Sequence, residues 1–207
     1  MKKDIARLLL KVKAVSLRPN KPYKFASGIL SPIYCDNRLL ISHPKEREVI
    51  IDSFIKIIRQ KKIVFDVIAG TATAGIPWAA FLALKLDKPM IYARKESKGH
   101  GKENTIEGKL DKGDRVLLIE DLVSTGGSSL NAVKSIRDAG GKIAICLAIF
   151  SYNFLSAESN FRQEKVNLIT LISLNELIDI AVKDKYIKSK DKKLLFKWNK
   201  NPEKWQR

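Results

Sequence analysis

The chain has 207 residues, 45% hydrophobic and 29% charged, which is enough to bury a core without disulfides and excludes global disorder. Its two cysteines, Cys35 and Cys146, exclude a disulfide scaffold and a four-cysteine zinc site and suit a reducing compartment. Thirty-nine Lys and Arg against 22 Asp and Glu give a net charge of +17, which favours anionic partners.

Met1-Lys2-Lys3-Asp4 precedes an apolar stretch broken by Lys11 and Lys13, with no long apolar region or small-residue cleavage site of a signal peptide. A cytoplasmic location is expected. Ile5, Leu8, Leu9 and Val12 fall at helical spacing and predict a short amphipathic helix. Between Arg18 and Cys35, Pro19, Pro22, Gly28 and Pro32 punctuate short apolar pieces, which predicts two strands joined by a turn. Pro44 is a good first-turn residue for a second helix, with Val49, Ile50, Phe54, Ile57 and Ile58 as its buried stripe.

From there the rhythm is strand, loop, helix. Val64–Ala69 reads as a strand, Gly70–Gly75 as a small-residue loop and Ile76–Leu86 as a helix. Pro89–Ala93 is the next strand, and Ser97–Lys112 reads as a long mobile loop of the kind that carries function. Val116–Ile119 is a buried strand, followed by a loop and a helix from Ser128 to Ala139 that Gly140-Gly141 stops. Ile143–Phe150 is another buried strand, and Glu176–Ala181 and Asp191–Trp198 read as amphipathic helices. The fold class is therefore α/β, a parallel sheet covered on both faces, with ligands at the carboxyl ends of the strands. Seven of the eleven glycines fall in the three loops at that end, which is where the site is sought. The longest apolar run, Ile76–Leu84, is far too short to span a bilayer, so no membrane partner is expected. Lys183–Arg207 carries ten basic and three acidic residues but little aromatic interleaving, so it reads as a solvated basic face and not a nucleic-acid platform.

The segment from Val116 to Ser129 carries the chemistry. Four apolar residues make a strand, Glu120 and Asp121 stand at its end, and a Ser, Thr and Gly loop runs into a helix. A helix N-terminus offers unpaired N–H groups to a phosphate, and Gly126 and Gly127 let the backbone come close. Ser124, Thr125 and Ser128 add hydroxyl donors. The carboxylates accept hydrogen bonds and so suit a sugar diol. Together they fit a ribose 5-phosphate. The Gly-Lys-Ser/Thr ending of a P-loop and the Gly-x-Gly-x-x-Gly of a dinucleotide site are both missing. Further back, Arg94, Lys95, Lys98, His100 and Lys102 put five potential cations within nine positions. They form either a solvated lysine-rich loop or a lid that neutralises a leaving pyrophosphate and excludes water.

The Val116–Ser129 segment resembles the PRPP-binding (phosphoribosyl pyrophosphate) signature of the type I phosphoribosyltransferases. Tyr23–Gly28 with Ser31–Arg38 resembles the N-terminal substrate motif of the orotate phosphoribosyltransferases within that family. Gly70–Pro77 resembles their pyrophosphate loop, and Arg94–Gly101, ending at Ile106-Glu107-Gly108, their catalytic loop. The resemblance implies one domain over residues 1–207: an N-terminal helix and hood (1–43), an α/β core (44–182) and a basic helical tail (183–207). It implies transfer of the ribose 5-phosphate of PRPP to orotate, giving orotidine 5′-monophosphate and pyrophosphate, a step of de novo pyrimidine biosynthesis. The path would be dissociative, through an oxocarbenium-like ribose captured by orotate N1.

The resemblance also implies roles. Glu120 and Asp121 hold the ribose hydroxyls, and Leu122, Val123, Ser124, Thr125, Gly126, Gly127 and Ser128 cradle the 5-phosphate. Thr71 and Ala72 meet the pyrophosphate, as do Arg94, Lys98 and His100, some reaching across a homodimer interface, while Lys95 acts within its own subunit. Lys95, Lys98, His100 and Asp121 are the catalytic set; His100 can protonate the leaving oxygen, and Asp121 can steady the cationic ribose. Mg²⁺ is the cofactor, held mainly through PRPP, with no protein metal site. Two departures from the enterobacterial pattern concern the base: Ala26 stands where a Lys precedes Ser-Gly, and Ser151-Tyr152-Asn153-Phe154 stands where an Arg follows the fifth strand. The orotate carboxylate is then left to Ser124, Arg38 or main-chain amides, with Tyr34 stacking on the ring. Two alternatives stay open: a purine-specific phosphoribosyltransferase, and a non-enzymatic nucleic-acid-binding regulator on the same fold.

Overall fold

The computed structural model describes residues 1–24, 28, 30–94, 105–202 and 205. The chain opens with α1 (Lys2–Lys11), whose Ile5, Leu8 and Leu9 are buried as their spacing requires. Four short strands follow, β1 (Val15–Leu17), β2 (Tyr23–Lys24), β3 (Leu30–Ser31) and β4 (Ile33–Cys35), the last three lying between Arg18 and Cys35, where two were expected. They form two antiparallel ribbons, β1 with β4 and β2 with β3. A 3-10 helix (Asn37–Ser42) leads into α2 (Pro44–Gln60), with Pro44 at its first turn. Ile50, Phe54, Ile57 and Ile58 of the expected stripe are buried, but Val49 is 41% exposed.

The core is a six-stranded sheet in the order β10-β9-β8-β5-β6-β7. Its members are β5 (Val67–Thr71), β6 (Met90–Ala93), β7 (Ile106–Glu107), β8 (Arg115–Val123), β9 (Lys142–Ser151) and β10 (Asn167–Ser173). All neighbours run parallel except β6 and β7. Several expected boundaries shift. The first core strand begins at Val67, and Val64 is 65% exposed. Ile106 and Glu107, expected in a loop, form an edge strand against Tyr92 and Ala93. β8 continues past Ile119 because β9 continues beside it, with Glu120 opposite Ala148 and Leu122 opposite Phe150.

The helices are α3 (Gly75–Leu86), α4 (Gly127–Asp138), α5 (Leu155–Gln163), α6 (Leu174–Lys183) and α7 (Ser189–Lys200). Strand alternation sorts the two layers. Leu117 and Ile119 of β8 and Leu147 and Ile149 of β9 face the cluster built with α1, α2, α3, α6 and α7. Leu118, Cys146 and Ala148 face the smaller cluster under α4 and α5. The basic tail is part of the larger core, since Leu195, Trp198 and Trp205 are buried in it. Lys188, Lys190, Lys193, Lys197 and Lys200 are exposed on its other side. No helix among the described residues is long and apolar enough to cross a membrane.

Candidate active site

Parallel strands end together, so the loops after β5 and β8 meet beside the N-terminal ribbons. Gly75 lies so close to β8 that a Cβ would fall 2.5 Å from the Ile119 carbonyl oxygen. That approach seats the β5–α3 loop against the acidic end of β8. Cys35, Asp36, Arg38, Ala72, Thr73, Ala74, Glu120, Asp121, Leu122 and Ser128 line a cavity of about 340 Å³ there. A second cavity, of about 370 Å³, shares Ala72 and Ser128 with the first and adds Thr71, Ala93, Arg94 and Asn131. Two loops distant in sequence thus share one trough.

Glu120 and Asp121 are 4% and 8% exposed. The backbone N–H of Asp121 donates to Glu120 Oε1 at 3.2 Å, and Ser129 Oγ donates to Glu120 Oε2 at 2.9 Å. Ser128 Oγ reaches the same oxygen at 3.4 Å. Asn37, fully buried, donates its side-chain N–H to the Asp121 carbonyl oxygen at 2.7 Å and so ties the 3-10 helix to β8. Burial, reinforced by the charge of Asp121, pushes the Glu120 carboxyl up to about 8. Burial also raises Asp121. Two acids forced together in a dry place resist carrying both negative charges unless hydroxyl donors or a cation take them up. The arrangement is suited to a ligand that brings such groups.

Beyond the acids, Ser124, Thr125 and Gly126 turn the chain into α4. Gly126 has φ +88°, a left-handed backbone that favours glycine, and a Cβ there would lie 2.8 Å from the Phe161 ring. Asn160 donates to the Thr125 carbonyl oxygen at 3.1 Å and supports the turn from below. No side chain caps α4, so its first N–H groups face outward, and a Cβ on Gly127 would meet nothing within 4 Å. That is an anion seat with open space in front of it.

The expected base-side residues lie on the ribbons. Tyr34 is 40% exposed, and its ring centroid is 5.4 Å from that of Tyr23. The Arg18 guanidinium sits 4.7 Å over Tyr23. Arg38 is held by Asp36 through two short contacts, Nε to Oδ1 at 2.7 Å and Nη2 to Oδ2 at 2.8 Å, which keeps Asp36 below the usual carboxylate range. Burial pushes the Cys35 thiol up, which disfavours its thiolate. Ser124 and Thr125 also border a larger apolar chamber of about 800 Å³ toward α7, walled by Tyr152, Phe154, Phe196 and Trp198.

The structure therefore brings together Thr71, Ala72, Arg94, Glu120, Asp121, Leu122 and Ser128, with Arg38 at the rim. Arg94 is paired with Glu107, Nε to Oε1 at 3.5 Å. Lys95, Lys98 and His100 lie outside the described residues, as does Ala26. Sequence reasoning missed Asn37 and Ser129. Both lie inside segments already singled out, Ser129 at the end of Val116–Ser129 and Asn37 within Ser31–Arg38, but neither is given a role there.

A family model for the phosphoribosyl transferase domain matches residues 40–203. An orotate phosphoribosyltransferase of Coxiella burnetii is 50% identical over 203 residues, covering 98% of this chain and 97% of its own. One from Listeria monocytogenes is 47% identical over 205 residues, covering 99% and 98%. Among solved structures, the orotate phosphoribosyltransferase from Aeropyrum pernix superposes with a TM-score of 0.76 at 30% identity, covering 88% of this chain and 99% of that one.

Proposed function

Since the chain belongs to the phosphoribosyltransferase family, and within it to the orotate phosphoribosyltransferases, we propose that the trough at the ends of β5 and β8 is where PRPP and orotate react. The reaction moves the ribose 5-phosphate of PRPP to orotate and releases pyrophosphate. The observation that carries the site assignment is the buried Glu120–Asp121 pair beside the uncapped N-terminus of α4.

In this reading the ribose 2- and 3-hydroxyls donate to Glu120 and Asp121, whose carboxyls burial raises. The 5-phosphate takes the N–H groups from Ser124 to Ser128 and the dipole of α4. The pyrophosphate lies toward Thr71, Ala72 and Arg94, in the second cavity. As the C1–O bond stretches, positive charge grows on the ribose next to Asp121, which stabilises it at close range in a dry site. Lys98 and His100 with Arg94 neutralise the departing pyrophosphate, His100 gives its oxygen a proton, and Lys95 acts from its own subunit. Orotate stacks on Tyr34, and its carboxylate is met by Ser124, by Arg38 or by main-chain amides.

Mg²⁺ suits this donor set. Glu120 and Asp121, the acids beside the trough, would be the side chains nearest an ion carried in on PRPP. When bound it neutralises phosphate and ribose oxygens. A homodimer with shared sites completes the proposal. Leu39, Val49 and Leu84 are 44%, 41% and 84% exposed on the 3-10 helix, α2 and α3, apolar side chains available to such a contact. The cytoplasm is the expected location, in keeping with two free cysteines.

The test is loss of orotate ultraviolet absorbance with PRPP and Mg²⁺, against controls lacking each. Orotate loss with pyrophosphate release only in the full mixture is expected. Turnover of a purine base with none of orotate would overturn the base assignment.

A further inference from the structure

The C-terminal helix reaches the base side of the site from the far end of the chain. Trp198 is 2% exposed, and its indole Nε1–H donates to the Leu30 carbonyl oxygen at 3.1 Å. Its ring meets Tyr152 at 5.7 Å and Phe154 at 6.0 Å between centroids. The neighbouring Asn199 donates its side-chain N–H to the Tyr152 carbonyl oxygen at 2.7 Å. One turn of α7 thus grips both the β2–β3 ribbon and the segment after β9, beside Ser124 and Thr125.

The ribbon needs such a grip. β2 and β3 pair over two residues each, Tyr23 with Ser31 and Lys24 with Leu30, and join no larger sheet. A ribbon that short has no stability of its own, so its position is set by what it is anchored to. Leu30, which accepts the indole N–H, is the partner of Lys24, next to Tyr23. Tyr23 in turn packs on Tyr34 at 5.4 Å. The path from Trp198 to the expected base platform is one hydrogen bond, one strand pair and one ring contact long.

We propose that Trp198 is a positioning residue for the base substrate: through the Leu30 carbonyl it fixes the β2–β3 ribbon and so the Tyr23–Tyr34 pair on which the base stacks. The proposal rests on the reading of Tyr34 as the base platform. The acids and the α4 N-terminus have anchors of their own in Asn37, Ser129 and Asn160.

The experiment compares Trp198→Phe, which keeps a ring and removes the donor, with Tyr34→Ala and the double variant, in full steady-state kinetics in both substrates together with thermal unfolding. Tyr34→Ala reports on the platform itself; an unchanged orotate KM there would refute the reading of Tyr34 and, with it, this proposal. With the platform established, Trp198→Phe should raise orotate KM about three- to tenfold, the range of one hydrogen bond. PRPP KM should stay within about twofold, and the double variant should show less than the product of the single effects because both act on one pair of rings. An orotate KM within twofold of the parent, or equal changes in both KM values in step with a lower Tm, would overturn the positioning role and leave Trp198 as packing alone.

Discussion

Replacing Glu120 by Gln should stabilise the ligand-free enzyme in a pH-dependent way. The Glu120 carboxyl rises from 4.5 to about 8 in the folded chain, first through burial and then through Asp121. The folded state therefore keeps a proton that the unfolded state releases. Stability contributed by this group is fully present below pH 4.5, falls as the pH climbs toward 8, and is level above that. At about 1.4 kcal/mol per pH unit the loss is bounded at about 5 kcal/mol. Gln does not ionise and escapes it. Against that gain, the Asp121 N–H and the Ser129 hydroxyl both donate to Glu120, and an amide has one acceptor oxygen where the carboxylate has two. One lost acceptor costs about 1–3 kcal/mol. The net gain expected at pH 8.5 is about 2–4 kcal/mol, or roughly 4–16 °C in Tm for a chain of this size. At pH 5, where Glu120 is already protonated, the variant should match the parent or fall slightly below it. Calorimetry without PRPP at pH 5, 7 and 8.5 measures this directly, and PRPP KM should rise at least about tenfold in the same variant because a ribose hydroxyl loses its charged acceptor. A Tm difference that is the same at pH 5 and 8.5, or a variant less stable at both, would refute the account of Glu120 as a strained buried acid held ready for ligand.

Two paired substitutions separate backbone fit from ligand fit at the α4 N-terminus. Gly126→Ala meets both a φ of +88° and the Phe161 ring at 2.8 Å, and should lose about 2–3 kcal/mol in denaturant unfolding. Gly127→Ala meets nothing within 4 Å, so its Tm should stay near the parent value, while PRPP KM should rise because the new methyl stands in the turn proposed to hold the 5-phosphate. An unchanged PRPP KM in a folded Gly127→Ala protein would place the 5-phosphate elsewhere. Asn37→Ala orphans the Asp121 carbonyl oxygen and should cost about 1–3 kcal/mol. It should lower kcat as well, measured at saturating orotate and PRPP; a full kcat would dissociate Asn37 from the placement of Asp121.

What could be read from the sequence was what is local in it. The strand, the acids, the small-residue turn and the helix from Val116 onward are contiguous, so one segment displayed the ribose and phosphate halves of the site together. The α5 helix was not read because only Ala157 and Phe161 of its nine residues are buried, too few to show a helical period. β10 was passed over at the sheet edge, where most of its residues are only half-buried and its apolar run ends directly in the capping box of α6. Val49 misled because packing, not periodicity, decides which margin of a wide apolar stripe is covered.

The supports of the site are legible in a different sense. Asn37 answers to Asp121 across 84 positions, and Trp198 answers to Leu30 across 168. Neither carries charge, so neither announces chemistry in a sequence. A charged group must be solvated or paired, and its burial leaves a trace in the kind of residues placed around it, which is why Glu120 and Asp121 among Ser, Thr and Gly stood out. A neutral donor such as an indole or an amide fits many environments, and its partner is a backbone carbonyl that every residue possesses. Such a contact becomes specific only when the fold brings one particular carbonyl within reach. The groups that meet substrate are therefore found by composition and spacing, while the groups that hold them in place are found only from the assembled chain, and the catalytic geometry depends on both.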